Sequence, residues 1–465
     1  MHHSIHHSIH ESIHMLSLET LLRQKPATAS YLAQAMAISQ PTVSRQLSGL
    51  KERVLKIGKG KATQYALRRY IAGDSAAEHA FPLYRIDEQG HATHFAILYP
   101  IYPAEMCCVH QLASDTWQLF DSLPWYLTDM RPQGFLGRIW GKSVAGKLQL
   151  TDDVRLWNED HILLALSRQA DDMNGNILIG QQSYQHWLAA PDAIPIDPVD
   201  KLSRYAELSQ MALAGEMVGS STGGEQPKFT CYAGNLERPS SYVIVKFSAS
   251  SQNANSRRWG DLLISESLAL STLNNGGYKA ATSQVLQGVG RQIFLEVERF
   301  DRCGQRGRLG IVSLEAVNAE FVGNPVASWP QVCQQLVDKG LLAAPALEQV
   351  NVIWAFGKLI ANTDMHQGNL SFLHPENTPL SLAPVYDMLP MAFAPTSTGN
   401  MRHNVPEISL SVDISKLDWQ RAQQLANIFW QRVIDHSNIS NEFKLIARQM
   451  QGQLLSLTTL IERMA

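Results

Sequence analysis

Leu18, Leu21 and Leu22 recur at helical spacing near the start of the chain, and "ATASYLAQAMAIS" repeats that signal in a second short segment. A third segment, "QPTVSRQLSGLKER", has Ser39 in position to cap, Pro41 in the first turn, and Val43, Leu47 and Leu50 on one face. "VLKIGKGKATQYAL" then alternates, turns at residues 58–60 and returns, which predicts a two-stranded hairpin. A Ser/Ala/Gly stretch, "IAGDSAAEHA", reads as a linker. Beyond it "HATHFAILYPIY" has strand character, and "DSLPWYLTDMRPQGFLGRIWG" reads as aromatic packing surface. "YVIVKF" alternates as a strand with Lys246 on a buried face, and "LEQVNVIWAFGKLIANTD" places Val352, Trp354, Ala355 and Leu359 at helical spacing. The last eighty residues, with "DWQRAQQLANIFWQRVIDHS", read as helices whose aromatics belong to the core.

Composition sharpens this outline. A chain of 465 residues, 45% hydrophobic and 17% charged, has material for roughly two to four domains and no signature of disorder. Its net charge of −3 is uneven: residues 15–73 hold ten Lys/Arg against two Asp/Glu, and the rest is acidic. Five cysteines (107, 108, 231, 303, 333) form no C-x-x-C pair, which fits a reducing cytoplasm and argues against a disulfide framework or a zinc motif. Charge or proline breaks every long apolar run, so no membrane span is expected, and no signal-peptide core is visible. Residues 1–14, "MHHSIHHSIHESIH", are a low-complexity repeat, read as a tail rather than a histidine metal site.

The basic segment resembles a winged helix-turn-helix over residues 16–71, within a domain spanning 15–73. Its third helix would present Gln40, Thr42, Ser44, Arg45 and Gln46 to base edges and phosphates in a major groove. Lys56, Lys59 and Lys61 on the hairpin would meet the DNA backbone. Double-stranded DNA is the expected partner; the competing reading is a protein-binding helical domain with a solvated basic face. A homodimer would suit a palindromic site, but no dimer seam stands out.

The chemistry lies further along. "MVGSSTGGEQPKFTCYAG" is a glycine-rich turn that can bring backbone N–H groups to an anion, although it lacks Walker A spacing. Lys246 follows, and a lysine on a buried face needs an anionic partner. "LIANTDMHQGNLSFL" and "APVYDMLP" then set Asp364, His366, Asn369 and Asp387 in otherwise apolar surroundings. Phosphoryl transfer from ATP needs such parts, namely backbone donors, a lysine, a carboxylate facing the acceptor, and an amide and a carboxylate for Mg²⁺, and protein kinases set them in this order along the chain. Asn369 lies five residues after Asp364, and Asp387 eighteen after Asn369.

Together, "SSTGGEQPKF", "VIVKF", "VERFDR", "LIANTDMHQGNLSF" and "PVYDM" resemble the HipA-type serine/threonine kinases, toxins of bacterial toxin–antitoxin systems, over about residues 80–440. The resemblance implies an α+β multidomain chain: the winged helix, then a HipA-like two-lobed kinase fold. An N-terminal subdomain would occupy 81–200, the glycine-loop lobe 201–320 and a helical lobe 321–465. It implies that Thr222, Gly223, Gly224, Glu225, Gln226, Pro227 and Lys228 cover the phosphates, that Lys246 contacts them and that His366 lies beside the nucleotide. Asp364 would be catalytic, Asn369 and Asp387 would hold Mg²⁺, and Ser221 would be an autophosphorylated serine whose modification switches the enzyme off. Glu266 is a candidate partner for Lys246, and the adenine hinge is expected at Leu314, Glu315 and Ala316. A protein substrate and a HipB-like antitoxin are the implied partners. There is no H-R-D, no D-F-G and no V-A-I-K, so activation-loop control is not expected. The alternatives are a DNA-binding regulator that senses nucleotide without turnover, a small-molecule kinase, and a Mg²⁺-dependent hydrolase acting on DNA.

Overall fold

The computed structural model describes residues 17–71, 79–215, 226–251, 253–396 and 398–464, and the chain divides into two compact units. The first comprises Met1–Leu83, Phe95–Leu123 and Asn158–His161; the second comprises Tyr84–His94, Pro124–Trp157 and Ile162–Ala465.

The first unit opens with α1 (Leu18–Gln24), β1 (Ala27–Thr28), α2 (Ala29–Ala35), α3 (Gln40–Gly49), β2 (Val54–Ile57) and β3 (Gln64–Leu67). Ser17, Thr28 and Ser39 cap the three helices, each accepting an N–H from the first turn. Leu18, Leu22, Leu32, Val43, Leu47 and Leu67 bury into one core. The small sheet runs β1-β3-β2, and Gly58 and Gly60 turn its hairpin with φ of 78° and 68°, where a side chain would be strained. After β4 (Phe81–Ile86) come β5 (Ala92–Pro100), β6 (Cys107–Gln111) and β7 (Thr116–Phe120), of which β5, β6 and β7 pair as an antiparallel meander. Leu55 and Ile57 of β2 share a cluster with Ile101 and Cys108. The Lys59 ammonium at the hairpin tip meets Asp115 beside β7 at 2.6 Å.

The second unit contains α4 (Gly134–Leu148), α5 (Glu159–Gln169), whose first residues belong to the first unit, β8 (Ile177–Ile179), α6 (Gln181–Ala189) and α7 (Lys201–Leu213). A four-stranded antiparallel sheet follows in the order β11 (Ser283–Gln287), β12 (Ile293–Glu298), β10 (Ser241–Phe247), β9 (Lys228–Ala233), with α8 (Ala254–Asn275) inserted after β10. Val243, Val245 and Phe247 pack with Tyr205 and Leu208 of α7. Ile244 and Lys246 therefore project from the opposite face. Asn253 caps α8, which is buried along most of its length. The hairpin β13 (Arg302–Cys303) and β14 (Gly307–Arg308) leads to a second sheet, β15 (Ile311–Ser313), β16 (Ser371–Leu373) and β17 (Ser381–Leu382). Helices α9 (Leu314–Phe321), α10 (Trp329–Asp338), α11 (Ala344–Leu359), α12 (Lys416–Asp435) and α13 (Asn441–Glu462) complete the unit. Trp329, Phe356, Trp419, Phe429 and Trp430 are fully buried in their shared core. Among the described residues, no helix is long and apolar enough to cross a membrane.

Candidate active site

The register of the four-stranded sheet sets the first part of the site. Lys246 of β10 lies opposite Lys228 of β9, so two ammonium groups share one face. Lys246 donates to Glu266 Oε1 of α8 at 2.7 Å and also pairs with the Asp387 carboxylate. Burial opposes the lysine's charge, but Asp387 and Glu266 outweigh it and raise the pKa of Lys246. Burial likewise works against the Asp387 charge, but Lys246 and Lys228 hold that carboxyl below the usual range. Glu266 is fully buried and its pKa is raised, mainly by burial. Its Oε2 has no hydrogen-bond partner among the described residues. Asp387 adopts a left-handed φ of 51°, a conformation short polar side chains tolerate.

The second part is the loop after α11. Asn362, buried, accepts the Asp364 N–H at 3.0 Å and donates to the Asp387 carbonyl at 3.3 Å. Asn369 Nδ2 donates to the Asp364 carbonyl at 2.8 Å. Tyr386 O–H donates to the Gly368 carbonyl at 2.8 Å, and Trp329 Nε1 to the His366 carbonyl at 2.9 Å. His366 Nδ1 accepts the Gly368 N–H at 3.1 Å. Asp364 is accessible, yet its surroundings still desolvate the carboxyl enough to raise its pKa against the pull of His366. Lys228, Lys246, Glu266, His366, Asn369 and Asp387 all line one cleft of about 410 Å³.

The donor set suits a small hard cation. Asn369 has committed its N–H to Asp364, so its carbonyl oxygen is the half left for a metal, alongside the Asp387 carboxylate. Among the described residues no cluster of three His, Cys, Asp or Glu forms a dedicated metal cage. Mg²⁺, which keeps waters and shares ligands with phosphate, does not require one.

The chain is 47% identical over 454 residues to "Toxin YjjJ" of Escherichia coli K12, spanning 97% of this chain and all of that relative. The "HipA-like C-terminal domain" family matches residues 220–455. The chain belongs to the HipA-like toxin family. Within this HipA-like chain, residues 77–188 match the "YjjJ-like toxin, middle domain", and residues 1–58 match the "Mga helix-turn-helix domain". Among solved structures, HipA of Shewanella oneidensis MR-1, in complex with HipB and its operator DNA, aligns at 16% identity over 81% of this chain and 96% of that one, with a TM-score of 0.46. The Helicobacter pylori proinflammatory kinase CtkA aligns at 15% identity over 53% of this chain and 92% of that one, with a TM-score of 0.37.

Several expected positions of the HipA-like site fall differently. Ser221, Thr222, Gly223, Gly224 and Glu225 lie outside the described residues. Gln226 and Pro227 are half-buried just before β9, whereas Lys228 lies within that strand beside Lys246. The three residues expected as the hinge begin a helix. Leu314, Glu315 and Ala316 open helix α9, capped by Ser313, and Leu314 and Ala316 are buried in the core. Of the three only Glu315 reaches the cleft. The extended segment of residues 297–301, leaving β12, supplies the other wall. "VERFDR" is largely structural: Arg299 grips Asp301 through two bonds of 3.0 and 2.9 Å, and Arg302 bonds Asp301 at 2.8 Å and Asp172 at 2.7 Å.

Asn362 carried no sequence signal apart from its place in "IANTD". Asp129 was equally hidden. It accepts the Ser313 N–H at 2.6 Å and the Ser313 hydroxyl at 2.7 Å, and it lines the cleft from a stretch that reads as packing surface.

On the N-terminal module, Gln40, Ser44, Arg45, Gln46 and Lys56 are exposed. Thr42 is half-buried, its hydroxyl bonded to Ser39 at 2.9 Å. Lys59 is exposed but ion-paired with Asp115, which also meets His110 at 2.8 Å. The Lys61 side chain lies outside the described residues.

Proposed function

We propose that this HipA-like toxin is an ATP- and Mg²⁺-dependent serine/threonine protein kinase that phosphorylates a cellular protein in the cytoplasm and so inhibits growth. One observation carries the reading: a buried lysine on a sheet, held by a helix glutamate, meets an aspartate that Asn362 ties to the Asp364 loop. A structural ion pair needs only two of these groups. The extra carboxylate and the amide of Asn369 are what phosphoryl transfer adds.

In this reading Lys246 and Lys228 hold the nucleotide phosphates, and residues 297–301 bound the base. Asn369 and Asp387 hold Mg²⁺, which when bound offsets the charge on the phosphates. The acceptor oxygen bonds to the γ-phosphorus, the bond from γ-phosphorus to the β–γ bridging oxygen breaks, ADP leaves, and the hydroxyl proton passes to Asp364. The raised pKa of Asp364 improves it as a proton acceptor. Phosphorylation of Ser221 would switch the enzyme off. The N-terminal module, read as a winged helix, would bind double-stranded DNA through α3 and the hairpin lysines, and a HipB-like antitoxin would restrain the toxin.

Transfer from labelled ATP with Mg²⁺ tests this. Label on protein in the parent, lost in Asp364→Ala and Asp387→Ala, is expected, with phosphate on Ser221 by mass spectrometry. ATP binding without transfer to itself, to lysate protein or to small molecules would overturn it in favour of a nucleotide sensor.

A further inference from the structure

A second cavity, of about 1020 Å³, shares Glu315 and His366 with the nucleotide cleft. Asp364 lines this second cavity and is not part of the first cleft's wall. A base must face the acceptor rather than the nucleotide, so the cavity occupies the position of an acceptor site. We infer that it binds an extended segment of a partner protein whose serine or threonine lies beside an acidic residue, with Lys358 reading that acid. This inference rests on the kinase reading above.

The cavity has a built wall. Its far side is the loop 323–328, tied to the catalytic loop by Gln367. That amide donates to the Ala327 carbonyl at 2.8 Å and accepts from Asn318 Nδ2 at 2.7 Å. Asn318 in turn takes the Asn324 N–H at 3.1 Å. The loop 323–328 and the catalytic loop are thus held in one frame, which an acceptor site needs for orientation.

The near side is α11, where Trp354 and Lys358 lie one turn apart, with the Lys358 ammonium 5.4 Å from the Trp354 ring centroid. Among the described residues no carboxylate lies within ion-pair distance of Lys358. The lysine therefore presents a half-buried positive charge, ordered against an aromatic face, to whatever enters. Val326, 92% exposed at the loop tip, offers an apolar rim. A nucleic-acid occupant would set its phosphates against Asp364 and Glu315, whereas a peptide places one carboxylate at Lys358 and its hydroxyl at Asp364.

The test uses the full chain, labelled ATP and serine peptides differing only in Asp, Ala or Lys within three residues of the serine. The parent should use the Asp peptide about tenfold better in kcat/KM than the Lys peptide, mainly through KM. Lys358→Glu should invert that order, and Val326→Lys, at a site too exposed to affect folding, should strengthen it. Transfer without charge preference, or a preference within twofold of the parent in Lys358→Glu, overturns this inference alone. No transfer to any peptide or protein overturns the kinase reading and this inference with it.

Discussion

Lys246 and Glu266 are joined by a 2.7 Å bond between a strand and a helix, with both side chains out of water. Glu266 is thereby the anchor that aims Lys246 into the cleft, and Asp387 is the group it meets there. Removing the lysine strands a buried carboxylate, Glu266, and a half-buried one, Asp387. Lys246→Met should cut phosphate transfer by at least about a hundredfold and cost about 3–5 kcal/mol of stability, read by melting with and without ATP. Glu266→Gln should weaken activity more than stability, because the amide still accepts a hydrogen bond.

Asp364 must be unprotonated to act as a base. Its raised pKa moves the acidic limb of kcat/KM above the ordinary aspartate value of about 3.9, with activity falling as pH drops through that limb. A pH–rate profile measures this, and Asp364→Asn should leave only a flat residual rate.

Asn362 acts through its neighbours, bridging the Asp364 N–H and the Asp387 carbonyl. Asn362→Ala should lower kcat by about tenfold to a hundredfold while ATP affinity changes little, since on the proposed reading only the relative placement of Asp364 and Asp387 is lost. Separate kcat and KM determinations distinguish this from general unfolding.

Asp301 stabilises the chain under the cleft through Arg299 and Arg302. Burial works against its charge, but the two guanidiniums outweigh it and hold the carboxyl well below the usual range. A lowered carboxylate contributes stability above its unfolded pKa and loses it as pH falls toward the folded one. Asp301→Asn should therefore cost about 3–5 kcal/mol at neutral pH, and the gap to the parent should narrow on acidification below about pH 4. Thermal melts across that range would show it.

If the N-terminal module binds DNA, Arg45→Ala and Lys56→Ala should each weaken binding across sequences and reduce the salt slope by about one. Asp115→Asn should tighten binding, because it releases Lys59 from its 2.6 Å ion pair and removes a negative charge from the hairpin tip.

What the sequence determined by itself is what short-range pattern encodes. Capping residues such as Ser39, the spacing of Val43 and Leu47, and the alternation around Lys246 fold locally, because each element must bury one face and cap its own ends. Polar residues stranded among apolar ones, Asp364, Asn369 and Asp387 above all, were visible for the same reason. Tertiary structure decided which of them meet. Only strand register sets Lys228 beside Lys246, and only the docking of α8 makes Glu266 a buried partner rather than a surface residue. Packing also decided the form of the segment expected as the hinge. Leu314 and Ala316 are apolar enough to be drawn into the core once Ser313 caps a helix there, while Ser313 and Glu315 line the cleft together with residues 297–301. Asn362 and Asp129 act through contacts made across 25 and 184 residues, and no local periodicity carries a distance of that kind.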